Sequence, residues 1–214
     1  MARQLDYLTM KEIFRRFQAQ EPEPKGELAH LNAYTLLVAV ALSAQATDVS
    51  VNKATRDLFP LADTPQKMLA LGEERLIEHI KTIGLYRNKA RNVMRLSQIL
   101  VEQYDGEVPS SRAALQALPG VGRKTANVVL NMWWHLPAQA VDTHIFRVGN
   151  RSGIAPGRDV DAVERAIEDN VPAAYQGHAH HWLILHGRYI CTARKPRCGE
   201  CLIRDLCAYE DKTE

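Results

Sequence analysis

Several features are scarce or missing in this sequence, and each absence excludes a class of protein. The longest apolar run, Leu36 to Leu42, is far shorter than the roughly 20 residues that a membrane-spanning helix needs. The first residues lack the apolar core of a secretory signal, which predicts a soluble, cytoplasmic protein. The formal net charge is only +2, so charge alone permits nucleic-acid binding without requiring it.

Alternating strand patterns are also missing, and the apolar residues recur instead at the spacing of helices. The sequence therefore predicts an all-α fold. Thr9 and Glu12 have the spacing of a capping box, Thr64-Pro65 has that of a helix start, and Asp105-Gly106 that of a helix end. The apolar segment from Ala33 to Ala44 is predicted to be a buried helix, although its composition also allows a strand.

Cysteine is confined to one short segment, which contains Cys191, Cys198, Cys201 and Cys207. In a reducing compartment such a group indicates a metal site rather than two disulfides. Zinc sites usually contain two Cys-x2-Cys pairs, and this segment has only one. The uneven outer spacings favour a [4Fe–4S] cluster over zinc.

Positive charge follows the first cysteine, at Arg194, Lys195 and Arg197. A loop held at both ends by a metal centre presents such charges to phosphates at a low cost in entropy. The alternative is a solvated surface loop without a ligand.

A glycine-rich turn, Gly120-Val121-Gly122, lies between two predicted helices. Its backbone N–H groups and the following helix N-terminus could bind a phosphate without reading sequence, or the turn could be a plain connection. Lys124 follows in the first helical turn, where the helix dipole and Arg123 favour a neutral, nucleophilic amine, although most lone lysines have no such role. Asp142 is placed to cap a helix, and a carboxylate there could also stabilise positive charge on a sugar.

Five segments together resemble the endonuclease III family of the helix-hairpin-helix DNA glycosylase superfamily. They are Leu42 to Asp48, Gly84-Leu85-Tyr86, Leu118 to Ala126, Val141-Asp142-Thr143-His144 and the four cysteines. The resemblance covers nearly the whole chain. It implies a six-helix barrel lobe at residues 26–135, with the hairpin at about 111–130. A second helical lobe would comprise residues 1–25 and 136–214, with the cluster loop at 191–207 and DNA bound between the lobes.

The resemblance also implies a role for individual residues. Lys124 would form a Schiff base and Asp142 would be the catalytic aspartate. Gln45 would fill the gap left by a flipped base, and Leu85 would wedge against the opposite strand. Further DNA contacts are expected from Asp48, His144, Lys195 and the hairpin residues Gly120, Val121 and Gly122.

The implied activity is base excision repair of damaged double-stranded DNA by a monomer. The enzyme would flip out an oxidised pyrimidine, remove it through the lysine, and cut 3′ to the abasic site by β-elimination. Three alternatives stay open: an adenine glycosylase acting on mispairs, a non-catalytic iron–sulfur DNA-binding protein, and an electron-transfer protein. Lys124 and the short segment after Cys207 argue against the adenine enzyme, and the hairpin argues against electron transfer.

Overall fold

The computed structural model describes residues 3–213, and within that range it contains helices and no β-strand. The predicted all-α fold is therefore confirmed. None of the helices in this range is long and apolar enough to cross a membrane. The helices are α1 (Tyr7–Gln20), α2 (Ala33–Leu42), α3 (Asp48–Thr55), α4 (Pro65–Leu71), α5 (Glu73–Ile80), α6 (Tyr86–Tyr104), α7 (Arg112–Gln116), α8 (Arg123–Trp134), α9 (Thr143–Ser152), α10 (Val160–Asn170) and α11 (Gln176–Tyr189), with 3-10 turns at Ala173–Tyr175 and Cys198–Glu200.

The chain forms two compact units. The central unit is continuous, runs from Gly26 to Trp134 and contains α2 to α8. The terminal unit combines the segment up to Lys25 with the segment from His135 onward, and it contains α1 and α9 to α11. The six-helix barrel stays a prediction, since seven helical segments occur among the described residues of the central unit.

Helix α2 is the core of the central unit. Asn32 caps it by accepting the Thr35 N–H at 2.9 Å, and every residue from Tyr34 to Leu42 is buried. Helices α3, α6 and α8 pack around it. The Tyr34 hydroxyl lies 2.6 Å from Ser97 Oγ on α6, so a buried polar pair joins two otherwise apolar surfaces. The apolar segment that begins at Ala33 is thus a buried helix, as predicted, and not a strand.

Helix ends in the central unit follow local sequence signals. Thr64 accepts the Lys67 N–H at 3.2 Å and Pro65 occupies the first turn of α4, as predicted. At the end of α6, Asp105 and Gly106 both have positive φ, and the Gly106 N–H reaches back to the Leu100 carbonyl. This geometry confirms the predicted helix end.

The core of the terminal unit is aromatic. Phe14 and Phe17 on α1 lie against Trp182 on α11, and Phe14 also stacks on Tyr175 with ring centroids 6.0 Å apart. The helix that carries these two rings begins earlier than predicted. Its cap is Asp6, which accepts the Thr9 N–H at 3.0 Å, so the predicted capping box at Thr9 is wrong.

An arginine fork joins α1 to the cysteine segment of the same unit. The Arg16 guanidinium donates to both carboxylate oxygens of Asp205, at 2.6 and 2.9 Å, and to the Leu202 carbonyl at 2.8 Å. Because the guanidinium is planar, this bidentate pair fixes orientation as well as distance. The N-terminal helix thereby stabilises the segment that contains the last three cysteines.

Candidate active site and iron–sulfur centre

The predicted hairpin is a tight turn between α7 and α8. The Val121 N–H donates to the Leu118 carbonyl at 3.1 Å, and Gly120 has a φ of 79°, a conformation that favours glycine at this position of a type II turn. Val121 is buried and its N–H is used inside the turn, so it is not a free donor for phosphate. Gly120 and Gly122 are exposed, and their N–H groups meet no carbonyl acceptor within residues 3–213.

Lys124 lies in the first turn of α8, directly after this hairpin. Its side chain is exposed and has no ion pair with any described residue. The Gly122 carbonyl accepts the Ala126 N–H at 2.9 Å, so the helix begins around the lysine. An exposed amine in this position can approach an electrophilic carbon on a bound molecule.

Gln45 and Leu85 share an unusual backbone conformation. Their φ angles are 56° and 60°, in the left-handed region that costs a non-glycine residue roughly 1–2 kcal/mol. Both side chains are exposed, and Leu85 keeps 60% of its surface accessible. A strained, exposed apolar residue contributes little to the core, and such strain often marks a functional position.

Asp48 is the first residue of α3, three positions beyond Gln45, and is half-buried. An acidic residue in the first turn interacts favourably with the helix dipole. The loop from Ser43 to Thr47 therefore presents Gln45 between two well-formed helices. Gln45, Asp48, Leu85, Lys124 and the hairpin glycines all belong to the central unit.

Asp142 caps α9 in the terminal unit. Its Oδ1 atom accepts the N–H groups of both His144 and Ile145 at 2.9 Å. Its Oδ2 atom accepts no hydrogen bond from the described part of the chain. The structural role as a cap therefore occupies one carboxylate oxygen and leaves the other available for chemistry.

His144 lies at the start of the same helix, half-buried. Arg147 Nη2 is 3.2 Å from His144 Nδ1, and because a guanidinium only donates, Nδ1 is the acceptor. The same arginine donates to the carbonyls of Gly187 and Cys191, at 2.7 and 2.8 Å. It therefore ties the start of α9 to the cysteine segment.

The four cysteines are free and half-buried; two of their sulfurs have an N–H donor nearby, and a third lies beside a histidine ring nitrogen. The contacts are His186 Nε2 to Cys201 Sγ at 3.7 Å, Arg151 Nη1 to Cys191 Sγ at 3.8 Å, and the Tyr209 N–H to Cys207 Sγ at 3.5 Å. N–H groups directed at sulfur stabilise the negative charge of thiolate ligands. The donor set fits an iron–sulfur cluster.

Burial raises the pKa of the Cys201 thiol to about 11, and it also raises the pKa of Cys207. Thiols in such surroundings keep their protons at neutral pH unless a metal supplies positive charge. Iron binding would therefore displace protons from these sulfurs, as it does at metal sites whose ligands must be deprotonated.

The three basic residues between Cys191 and Cys198 differ in the contacts that their side chains make. Arg197 forms an ion pair with Glu200 at 2.7 Å and also donates to the Tyr189 carbonyl, so it supports the loop itself. Arg194 and Lys195 are exposed and have no ion pair with a described residue. Of the predicted phosphate contacts in this loop, these two are the ones the structure leaves available.

Comparison with known proteins extends these observations over the whole chain. A model of the HhH-GPD superfamily of base excision DNA repair proteins matches residues 38–173, and a model of the iron–sulfur binding domain of endonuclease III matches residues 191–207. Endonuclease III from Escherichia coli (strain K12) is 58% identical over 203 residues, covering 95% of this chain and 96% of that protein. Endonuclease III from Treponema pallidum (strain Nichols) is 57% identical, covering 96% and 97%.

The chain belongs to the endonuclease III family. A solved structure described as a trapped endonuclease III–DNA covalent intermediate resembles it with a TM-score of 0.84 and 43% identity, covering 95% of this chain and 96% of that one. A thermostable thymine-DNA glycosylase resembles it with a TM-score of 0.83 and 25% identity, covering 94% and 96%.

Membership in the endonuclease III family makes the chain a DNA-binding enzyme of base excision repair, a DNA glycosylase with AP lyase activity. The non-catalytic and electron-transfer alternatives are not favoured, and neither is the adenine glycosylase. The match at residues 191–207, a segment that contains all four cysteines, also confirms the [4Fe–4S] cluster.

Proposed function

We propose that the enzyme removes oxidised pyrimidines, such as thymine glycol, from duplex DNA through a covalent bond to Lys124. The proposal draws on the exposed, unpaired amine of Lys124 at the start of α8. It also draws on the solved endonuclease III that was trapped as a covalent DNA intermediate. A base stacked inside a duplex is out of reach, so it must first be flipped out, at a cost of roughly a few kcal/mol that damage reduces.

The chemistry would proceed in four steps. Lys124 Nζ forms a bond to C1′ as the glycosidic bond breaks, and the base leaves with the electron pair and a proton. The nitrogen lone pair then forms the protonated Schiff base as the C1′–O4′ bond breaks, and O4′ takes up a proton from solvent. The Schiff base acidifies the C2′ hydrogen, and transfer of that proton to solvent breaks the C3′–O bond by β-elimination, so that the phosphate leaves and the strand is cut on the 3′ side. Water finally hydrolyses the Schiff base and frees the lysine.

Asp142 would stabilise the positive charge that develops on the sugar. Its Oδ1 atom is held by the N–H groups of His144 and Ile145, so the carboxylate is fixed in orientation. Its Oδ2 atom carries no competing hydrogen bond from a described residue. A carboxylate with a fixed direction and a free oxygen is suited to electrostatic stabilisation of a cationic sugar.

The remaining contacts would hold the DNA. Gln45 and Leu85 are both exposed at positive φ. Gln45 would fill the gap left by the flipped base, and Leu85 would wedge against the opposite strand. Gly120, Gly122 and Lys195 would contact phosphates, with further contacts from Asp48 and His144. Phosphate contacts make binding strong, salt-dependent and largely indifferent to sequence.

Borohydride reduction of the Schiff base tests the proposal directly. The wild-type enzyme should become covalently attached to a duplex containing thymine glycol, and Lys124→Gln should not, although it should still bind that duplex. Lys67→Gln is the matched control, because Lys67 is another exposed lysine of the central unit and pairs with Asp63 at 2.7 Å. Undiminished trapping by Lys124→Gln would overturn the covalent role.

We further propose that the enzyme acts as a monomer on double-stranded DNA in the cytoplasm, where the DNA and a reducing medium for the cluster coexist. Light scattering of the holoenzyme should give the mass of one chain when it is free, and the mass of one chain plus one duplex when it is bound to a short duplex. The mass of two chains plus one duplex would contradict the monomer.

A further inference from the structure

One residue in the last turn of α9, the helix that Asp142 caps, contacts the cysteine loop. Arg151, in the last turn of α9, donates from Nη1 to the Thr192 carbonyl at 2.7 Å and from Nη2 to the Ala193 carbonyl at 2.8 Å. Its Nη1 atom also lies 3.8 Å from Cys191 Sγ. The guanidinium fork thus contacts three consecutive residues at the start of the loop.

The two carbonyls that Arg151 holds directly precede Arg194 and Lys195, the two charges available for phosphate. The other restraints at this point are mostly local: the N–H groups of Thr192 and Arg197 both donate to the Ile190 carbonyl, at 2.9 Å each. Thr192 Oγ1 donates to the Lys195 carbonyl at 2.6 Å, while Ala193, Arg194 and Lys195 are all exposed. Fixing an exposed backbone costs roughly 1–2 kcal/mol per residue, so contacts outside the loop are needed to keep it in one shape.

Arg151 also contacts the far end of the cysteine segment. Its guanidinium carbon lies 5.0 Å from the centre of the Tyr209 ring, within the range of a cation–π contact. The Tyr209 N–H in turn lies 3.5 Å from Cys207 Sγ. One side chain therefore joins the residues that follow the first cysteine to those that follow the last one.

We propose that Arg151 is a positioning residue that holds the loop between Cys191 and Cys198 in its DNA-binding shape. The proposal rests on the proposed function in one respect, namely that Lys195 contacts the DNA backbone. Arg151 acts through the loop and does not itself touch the substrate. Lysine cannot replace it, because an ammonium lacks the planar fork that spans two successive carbonyls.

Arg151→Lys in the cluster-loaded enzyme tests the proposal, since it keeps the charge and removes the fork. Amide hydrogen exchange across residues 192–197 should become faster. The Kd for undamaged duplex should rise about tenfold, as expected when binding must order the loop anew. The rate of trapping on a preformed abasic site, at saturating DNA, should change little. Arg158→Lys is the control, because Arg158 is exposed on the same unit and pairs with its neighbour Asp159.

A double-mutant cycle separates positioning from general loosening. If Arg151 acts by presenting Lys195, the effect of Arg151→Lys on Kd should largely disappear in a Lys195→Ala background. Additive effects of the two substitutions on Kd would overturn the proposal. Amide hydrogen exchange at residues 192–197 that is as slow in Arg151→Lys as in the wild type would also overturn it. If Lys195→Ala alone leaves the Kd unchanged, the proposed DNA contact fails, and the exchange measurement still decides whether Arg151 orders the loop.

If Arg151→Lys loses the cluster, Tyr209→Ala is measured in its place. This variant removes only the ring on which the guanidinium lies. It should accelerate exchange at residues 192–197 in the same direction by a smaller factor, with iron content preserved. Exchange equal to that of the wild type in Tyr209→Ala would then count against the proposal.

Discussion

Gly187 of α11 lies directly against His144 of α9. A Cβ atom built at Gly187 would be 2.8 Å from the His144 Cβ and 3.1 Å from its carbonyl oxygen, closer than such atoms pack in proteins. The two helices therefore approach each other more closely than any residue except glycine allows. Because Asp142 caps α9, this contact also helps to set where the Asp142 carboxylate stands.

Gly187→Ala should lower the free energy of unfolding by about 1–3 kcal/mol, the usual cost of overpacking. Base removal should slow as well, because α9 must shift to admit the methyl group. Gly177→Ala on the same helix is the control, since its nearest atom, the His135 carbonyl oxygen, is at an ordinary 3.4 Å. Urea denaturation and single-turnover kinetics check both variants, and equal stability of the two would contradict the close approach.

Asp142→Asn should separate capping from catalysis. Asparagine caps helices about as well as aspartate, so stability should be nearly unchanged. Base removal should nevertheless slow by about 10²–10⁴, the usual scale for a positioned acid–base group. Trapping on a preformed abasic site should survive in part, because Lys124 remains.

The control for this variant is Asp159→Asn, at the cap of α10, where the Ala162 N–H is accepted at 2.8 Å. It should leave both stability and base removal intact. Full glycosylase activity in Asp142→Asn would reduce Asp142 to a structural residue.

Leu85→Gly should make the protein more stable but weaken its binding to damaged DNA. Glycine adopts positive φ without strain, so the free energy of unfolding should rise by about 1 kcal/mol. Binding to lesion-containing duplex should weaken, because the exposed side chain is lost. Asp105→Gly relieves the same backbone conformation at the end of α6 and should leave DNA binding unchanged. A Leu85→Gly protein that binds lesions normally would show that Leu85 is not the wedge.

His181 should make the protein sensitive to mild acid. Burial, reinforced by His178 and His135, lowers its pKa from 6.5 to about 4. The unfolded chain therefore takes up the proton first as the pH falls. Above pH 6.5 the effect is absent, and by pH 5 it should cost about 2 kcal/mol of stability. His181→Phe should lack this component, so its urea midpoint should fall less than that of the wild type between pH 7 and pH 5. If the urea midpoints of the two proteins fall equally between pH 7 and pH 5, His181 does not cause the acid sensitivity.

The presence of a [4Fe–4S] cluster predicts the colour and the metal content of the purified protein. Anaerobically purified protein should absorb broadly near ~400 nm and contain about four irons per chain. Cys198→Ser should lower the yield of soluble protein, because cluster binding is coupled to folding of the loop. Stoichiometric zinc in colourless protein would contradict the iron–sulfur assignment.

Much of the fold could be predicted from local signals, because helix ends depend on residues a few positions apart. Thr64, Asp105 and Asp142 end or begin helices as predicted. The error at Thr9 has the same local origin. Its spacing to Glu12 matches a capping box, yet Asp6 caps the helix one turn earlier, and the Thr9 hydroxyl donates to that carboxylate at 2.9 Å.

The residues that organise the cysteine loop could not be predicted in this way. Arg147 and Arg151 contact Cys191, Thr192 and Ala193, about forty positions later in the chain. In the sequence, the two arginines are marked only by their spacing of four residues, which places them on one face of the helix that follows Asp142. The same spacing is typical of two solvent-exposed charges. The packing of α9 beside α11 determines that they bind the loop instead.

The discontinuous terminal unit has a consequence for how the protein is made. Helix α1 is synthesised first, but its apolar face, including Phe14 and Phe17, is covered by Tyr175 and Trp182 and anchored through Arg16 at Asp205. At roughly 5–20 residues per second, these rings wait on the order of 10–30 s for their partners to leave the ribosome. The central unit can fold during that interval. Helix α1 therefore completes its packing only after the segment that contains Tyr175, Trp182 and Asp205 has been synthesised.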